Sequence, residues 1–306
     1  MNLKALMRSR AALLAAAAVA AVLATLTLSL GPGADGAASR ARLVHVEPSE
    51  FAPVVVFEQY GERCINFTEM EGEGRQTCVR LDDPRIMVFE YTRMMTSALF
   101  VRPEARAVLI IGLGGGTLPG ALHDLLPGAV IDSVEIDPAV VKVAQQYFGY
   151  APGPRQRVFV EDGRAFVERA LSEGRRYDMV MLDAFDTDYI PAHLLTVEFL
   201  EQVRGILEPG GVVVANSFAQ SRMYERESAT YAAVFGAYFN LRAGLEGNRV
   251  IIASNGPLPS LDSVRRNAAL LAERLRPYGI DAQAAAARFT VASARHDEAR
   301  LLRDPP

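Results

Sequence analysis

The sequence predicts an α/β fold: a mostly parallel sheet covered on both faces and closed by an antiparallel pair. A small antiparallel β-region precedes it, and a hydrophobic helix stands at the N-terminus. Three observations lead there. Between residues 107 and 215, short continuous apolar runs alternate with segments of helical spacing, the pattern of parallel strands buried on both faces. A glycine-rich turn, Gly112-Leu-Gly-Gly-Gly116, directly follows the first of those runs. Before them, residues 43–81 alternate apolar and polar side chains around Gly-containing turns, as half-buried strands do.

The chain has 306 residues, half of them hydrophobic, with 24 Gly and 17 Pro, enough for one substantial core and a small appendage. A net charge of −4 offers no basic face for nucleic acid, so none is expected as a partner. Four His and two Cys without paired ligand spacing point away from a structural metal site.

At the N-terminus, Lys4, Arg8 and Arg10 precede an uncharged run from Ala11 to Leu30. Residues 1–30 therefore read as a signal peptide or membrane anchor that contacts the membrane or the export machinery. Residues 31–42, rich in Gly, Ala and Ser, are a linker, with a small-residue cleavage site at Gly36-Ala37-Ala38. The positive flank favours the periplasmic side for the rest of the chain, membrane-anchored or exported.

Residues 43–100 form the β-region plus one helix, placed at Arg85 to Leu99 because Met87, Val88, Tyr91, Met94, Met95 and Leu99 recur at helical spacing. Cys64 and Cys78 flank the turn-like Glu71-Gly72-Glu73-Gly74. They either pair across a hairpin or remain two half-buried thiols. Residues 101–280 form the α/β domain. Its strands are 107–111, 130–136, 158–160, 178–182 and 211–215, and residues 241–245 with 249–253 are the closing pair. A last amphipathic helix runs from Ser260 to Tyr278, and residues 281–306 are a C-terminal tail.

Glycines in the turn Gly112, Gly114 and Gly116 let the backbone approach a ligand, and the helix that follows presents its N–H groups. Glu135 ends the second strand, 23 residues after Gly112, where a carboxylate accepts hydrogen bonds from a ribose diol. Asp162, followed by Gly163, ends the third strand, and Asp183 ends the fourth. In an open parallel sheet these strand ends converge on one crevice, which makes residues 101–280 a nucleotide-binding domain. A dinucleotide fingerprint is not met, since its last glycine position holds Thr117. Asn216 and Ser217 end the fifth strand and either touch substrate or cap the next turn. His123 and His193 read as helix-surface residues.

The Glu135-Ile-Asp and Asp162-Gly163 endings resemble the Rossmann-like class I fold of S-adenosylmethionine-dependent methyltransferases. Within that fold, Val108 to Gly116, Val134 to Pro138, Val160 to Gly163, Tyr177 to Asp183, Leu194 to Leu200 and Leu207 to Gly211 resemble successive blocks of the spermidine synthase family. The resemblance extends from about Val54 to Asn255. It implies transfer of an aminopropyl group from decarboxylated S-adenosylmethionine to a small-molecule amine such as putrescine. By resemblance Glu135 holds the ribose, Asp162 with Gly163 the adenine, Asp183 accepts the amine proton and Asp186 binds the cationic substrate, with Tyr189 nearby. A homo-oligomer built through the N-terminal β-region is also implied.

Three positions depart from the family pattern. Gly115 stands where the family's glycine loop carries an Asp. The Asp-Ser-Ser-Asp-Pro block reads Asp183-Ala-Phe-Asp186-Thr, and the Tyr-x-Glu block near Phe89-Glu90 lacks its Tyr. Two competing readings stay open on these residues: a methyltransferase using S-adenosylmethionine itself on a small molecule, and a non-catalytic exported binding domain. The donor compound separates the first from aminopropyl transfer, and absence of any nucleoside binding would indicate the second. The apparent export signal also conflicts with a cytosolic cofactor.

Overall fold

The structure is a computed structural model and describes residues 40–67, 74–185, 190–244, 247–293 and 301–305. The N-terminal apolar run, the presumed linker up to residue 39, Glu71 to Glu73 of the hairpin turn, and Asp186 and Tyr189 lie outside the described residues. Among the described residues, no helix is long and apolar enough to cross a membrane.

Strands β1 (Arg42–Glu47), β2 (Val54–Gln59), β3 (Glu62–Asn66) and β4 (Thr77–Arg80) form an antiparallel sheet in sequence order. One face of β2 and β3, with Val54, Val56 and Ile65, packs on Ala139, Val140 and Val143 of the large domain. On the other side lie Phe57, Cys64 and Cys78. The two cysteines sit directly opposite in the β3–β4 ladder, Cα atoms 4.1 Å apart, and are joined in a disulfide. Of the two arrangements the sequence left open, the cross-hairpin pair is the one present.

The helix expected from Arg85 begins only at α1 (Glu90–Thr96), which tightens into a 3-10 turn over Ser97–Phe100. Residues 84–86 form a turn, with the Ile86 amide donating to the Asp83 carbonyl at 3.1 Å, and the segment from Met87 is held by other partners. Met87 bridges Val79 of β4, its amide donates to the Tyr278 carbonyl at 3.1 Å, and Arg93 donates to its carbonyl. Apolar spacing was right about which side faces inward, but tertiary hydrogen bonds decide the backbone.

The large sheet then builds in alternation: β5 (Ala107–Ile111), α2 (Thr117–Leu125), β6 (Val130–Glu135), α3 (Pro138–Tyr147), β7 (Gln156–Val160), α4 (Gly163–Ser172), β8 (Tyr177–Leu182), α5 (Val197–Gly205) and β9 (Leu207–Phe218). Helix α6 (Tyr224–Phe235), β10 (Tyr238–Arg242), β11 (Asn248–Ser254), α7 (Leu261–Leu275), α8 (Ala282–Ala287) and β12 (Thr290–Ala292) complete it. Strand order is β12-β10-β11-β9-β8-β5-β6-β7, with β9, β8, β5, β6 and β7 mutually parallel and the rest antiparallel. Helices α1, α2, α7 and α8 cover one face, and α4, α5 and α6 the other.

Two stretches differ from the sequence expectation. Strand β9 runs seven-residue register against β11, from Val212 to Phe218, so Asn216 and Ser217 lie inside a strand and cap no turn. Residues beyond 280, read as a tail, supply α8 and the edge strand β12. Leu302 is buried, its carbonyl accepting from the Val197 amide at 2.8 Å and its amide donating to Thr230 Oγ1 at 3.0 Å.

The disulfide closes a loop with a sequence separation of 14. By chain entropy such a closure stabilises the fold by about 3 kcal/mol. Reduction, or Cys64→Ser with Cys78→Ser, should lower Tm by about 5–10 °C in a calorimetric scan. An unchanged Tm would show that the hairpin is held by its ladder and packing alone.

Candidate active site

The parallel order reverses at β5: the chain moves outward to β6 and β7, then returns to β8 on the other side. Loops leaving β5 and β8 therefore diverge, opening a crevice at the carboxyl ends of the strands. A cavity of about 420 Å³ occupies that place, and the loops after β5, β6, β7 and β8 all contribute to its wall. The small sheet and the start of α1 close it with Thr77, Cys78, Phe89 and Tyr91.

Each glycine of the first loop has a defined task. Gly112, Gly114 and Gly116 all have positive φ, at 97°, 52° and 80°. A Cβ on Gly112 would strike the Asp183 carbonyl, so only glycine lets the β5 and β8 loops pass this close. Gly116 is the N-cap of α2. Gly163 opens α4, and a Cβ there would collide with Ile111 at the end of β5.

The carboxylates fall into two kinds. Glu135 at the end of β6 accepts the Leu113 amide at 3.0 Å and the Asp137 amide at 3.1 Å, one on each oxygen. Burial nonetheless pushes its carboxyl above the usual range, because those two amides only partly replace water. Asp137 itself caps α3, accepting from the Ala139 amide at 2.8 Å and from the Ser49 hydroxyl at 2.6 Å. Asp162 caps α4 through Oδ1, which takes the Arg164 and Ala165 amides at 2.9 and 3.0 Å. Its Oδ2 meets His193 Nε2 at 2.9 Å. Burial works against ionisation of Asp162, but the Ala165 amide, His193 and the Arg164 amide outweigh it and hold the carboxyl below its ordinary value.

Asp183 is different. It keeps a narrow opening to the cavity but is otherwise enclosed, and among the described residues its Oδ1 accepts from Asn216 Nδ2 at 2.9 Å. Asn216 is aimed by Asn248, whose Nδ2 donates to Asn216 Oδ1 at 3.1 Å. Desolvation pushes the Asp183 carboxyl up to about 7, and the Asn216 bond only moderates that rise. Tyr91 stands close enough for the Asp183 charge to add to burial in driving its phenol well above 10. A carboxylate poised near neutrality, opening into a largely apolar cavity, can take a proton from a bound molecule.

The structure thus brings Gly112, Gly114, Gly116, Glu135, Asp162, Gly163 and Asp183 to one cavity, while Asp186 and Tyr189 lie outside the described residues. Sequence reasoning missed three participants. Tyr91 was read as part of an apolar helix stripe, His193 as a surface residue, and Thr77 not at all. Only Tyr91 carried a usable signal, since a phenol in an otherwise Met-rich stripe needs a polar partner. Asp304 was also missed. It holds Arg164 by two bonds, at 2.7 and 2.5 Å, behind the Asp162 corner.

Comparison with known proteins fits this geometry. The spermine/spermidine synthase domain family matches residues 88–242. A polyamine aminopropyltransferase from Vibrio vulnificus is 41% identical over 265 residues, 86% of this chain and 88% of that protein. A probable spermidine synthase from Corynebacterium glutamicum has the same fold, with a TM-score of 0.64 at 22% identity, covering 83% of this chain and 96% of the other. Human methyltransferase-like protein 13, solved with SAH, gives a TM-score of 0.57 at 29% identity over 61% of this chain and 93% of the other.

The raised Asp183 carboxyl is testable without any ligand. An infrared titration should show one protonated carboxyl lost in a window centred at about 7. That band should be absent in Asp183→Asn and move to higher pH in Asn216→Leu, because the lost hydrogen bond favoured the ionised form. A wild-type protein with no carboxyl titrating above pH 6 would contradict the desolvated environment described for Asp183.

Proposed function

The chain belongs to the spermine/spermidine synthase family, and on that premise we propose that it transfers an aminopropyl group from decarboxylated S-adenosylmethionine to a polyamine acceptor such as putrescine. The observation that carries this reading is Asp183. It is a desolvated carboxylate at the crevice between the glycine loop and the β8 loop, backed by Asn216 and facing Tyr91.

Glu135 would accept the two ribose hydroxyls, since both its oxygens are already aimed by backbone amides. Asp162, fixed by the α4 amides and His193, would accept from the adenine amino group, with Gly163 allowing the close packing. A donor held by these contacts would share its cavity with the glycine loop and Asp183.

The reaction then forms a bond between the acceptor nitrogen and the aminopropyl carbon next to sulfur. The carbon–sulfur bond breaks with its electron pair going to sulfur, leaving methylthioadenosine as a neutral thioether. A protonated amine has no lone pair for this attack. Ionised Asp183 binds the ammonium, takes one proton and releases the nucleophile. A positioned base of this kind is worth about 10²–10⁴ in rate. Apolar walls from Phe89, Leu118 and Phe185 exclude water and strengthen the pairing of the acceptor cation with the carboxylate. Asp186 is assigned the second, remote ammonium of the acceptor.

The basic-flanked apolar run at residues 11–30 and the Cys64–Cys78 disulfide support an anchored or exported location, an oxidising compartment for the folded domain.

Turnover of decarboxylated S-adenosylmethionine with putrescine, followed as spermidine and methylthioadenosine, is the direct test. Asp183→Asn should lower kcat by about 10²–10⁴-fold while leaving methylthioadenosine affinity within a few-fold. Because the base must be ionised, the wild-type rate should rise with pH through about 7 and then level. Tight binding and methyl transfer from ordinary S-adenosylmethionine, with no spermidine formed, would overturn the proposal.

A further inference from the structure

The glycine loop is held partly from outside its own domain. The Gly115 amide is buried and donates to Oγ1 of Thr77 at 3.0 Å, a residue of β4 in the small sheet. Thr77 is itself only 7% exposed. A Cβ on Gly114 would lie 2.5 Å from Thr77 Oγ1, and one on Gly115 would lie 2.5 Å from Thr77 Cγ2. The Thr77 side chain is therefore seated directly against the loop backbone, in the space a side chain at 115 would need.

Strand β4 is held by its ladder with β3 and by the bridge from Val79 to Met87. It has four residues and sits at the edge of its sheet, with β3 as its ladder partner. The residue after Thr77 is Cys78, disulfide-bonded to Cys64 on β3 and part of the cavity wall. Phe57, Val88 and Phe89 pack on that disulfide. The covalent link is thus one residue away from the hydroxyl that holds the loop.

We propose that Thr77 is a positioning residue for the donor-binding loop, and that the Cys64–Cys78 disulfide fixes the strand that presents it. The inference rests on the assignment of residues 112–116 to the donor and adds a determinant from the N-terminal sheet. A loop with three glycines at positive φ has many accessible conformations once released. The Thr77 hydroxyl selects one of them before the ligand arrives, so binding need not bear that ordering cost. Replacing the hydroxyl by a methyl group leaves a buried N–H without its acceptor.

The test compares wild type, Thr77→Val, Thr77→Ser and the Cys64→Ser/Cys78→Ser double variant. Calorimetry reads the Kd for methylthioadenosine, steady-state kinetics the two KM values, and amide exchange the protection of residues 112–116. Thr77→Val should raise the methylthioadenosine Kd and the donor KM by about tenfold. It should also speed exchange across the loop, with the putrescine KM little changed. Thr77→Ser, which keeps the oxygen, should restore both readouts. The cysteine double variant should show the same loosening of 112–116, and dithiothreitol should reproduce it in wild type.

Unchanged Kd and exchange in Thr77→Val would overturn the positioning role. Loosening in Thr77→Val with none in the cysteine variant or in reduced wild type would overturn the part assigned to the disulfide. Failure of wild type to bind methylthioadenosine would instead overturn the functional assignment, and the exchange data would then decide the Thr77 contact alone.

Discussion

Everything at the site depends on the close passage of two backbones at the sheet's reversal point. The Asp183 amide donates to the Ile111 carbonyl at 2.8 Å, and the absent Cβ of Gly112 leaves room for the Asp183 carbonyl above it. That packing fixes the glycine loop and the reactive carboxylate relative to each other. A side chain at 112 would separate them, and the crevice would lose the geometry that sets a donor beside a base. The parallel strands supply the direction, and this contact supplies the distance.

Electrostatics divides the labour among the acids. Glu135 and Asp162 stand at strand ends where helix-start and loop amides point at their oxygens, which suits them to the proposed role of fixed acceptors for neutral hydroxyl and amino donors. Asp183 has a single amide partner, and the cost of burying its charge is the larger effect. A base needs that imbalance: a carboxylate as well solvated as Asp162 would hold its charge too firmly to accept a proton. One sheet end thus carries two acids held by several N–H groups and one acid left to burial, the division that the proposed function uses.

Much of this was legible in the sequence, and the parts that were not share a cause. Glu135, Asp162 and Asp183 end consecutive apolar strands, so topology alone brings them together. The glycines follow a strand and precede a helix, which gave their place. Tyr91, Thr77 and His193 reach the same cavity from three separate elements, and no spacing along the chain encodes that meeting. Strand β9 read as five residues because its last three are held by β11, a partner distant in sequence. The Ala-rich stretch at 282–287 and the short β12 carry weak local signals; Phe289 between them packs on Phe100 and Phe239, and β12 pairs with β10.

The departure at Gly115 follows from the same packing. An acidic side chain there would run into Thr77 Cγ2 at 2.5 Å and the Phe148 ring at 3.0 Å. The Gly115 amide is committed to the Thr77 hydroxyl, and a side chain at 115 fits only if the Thr77 and Phe148 side chains shift. On the proposed function, recognition of the donor's cationic tail would fall to other residues of the cavity wall, Asp183 and Tyr91 among them.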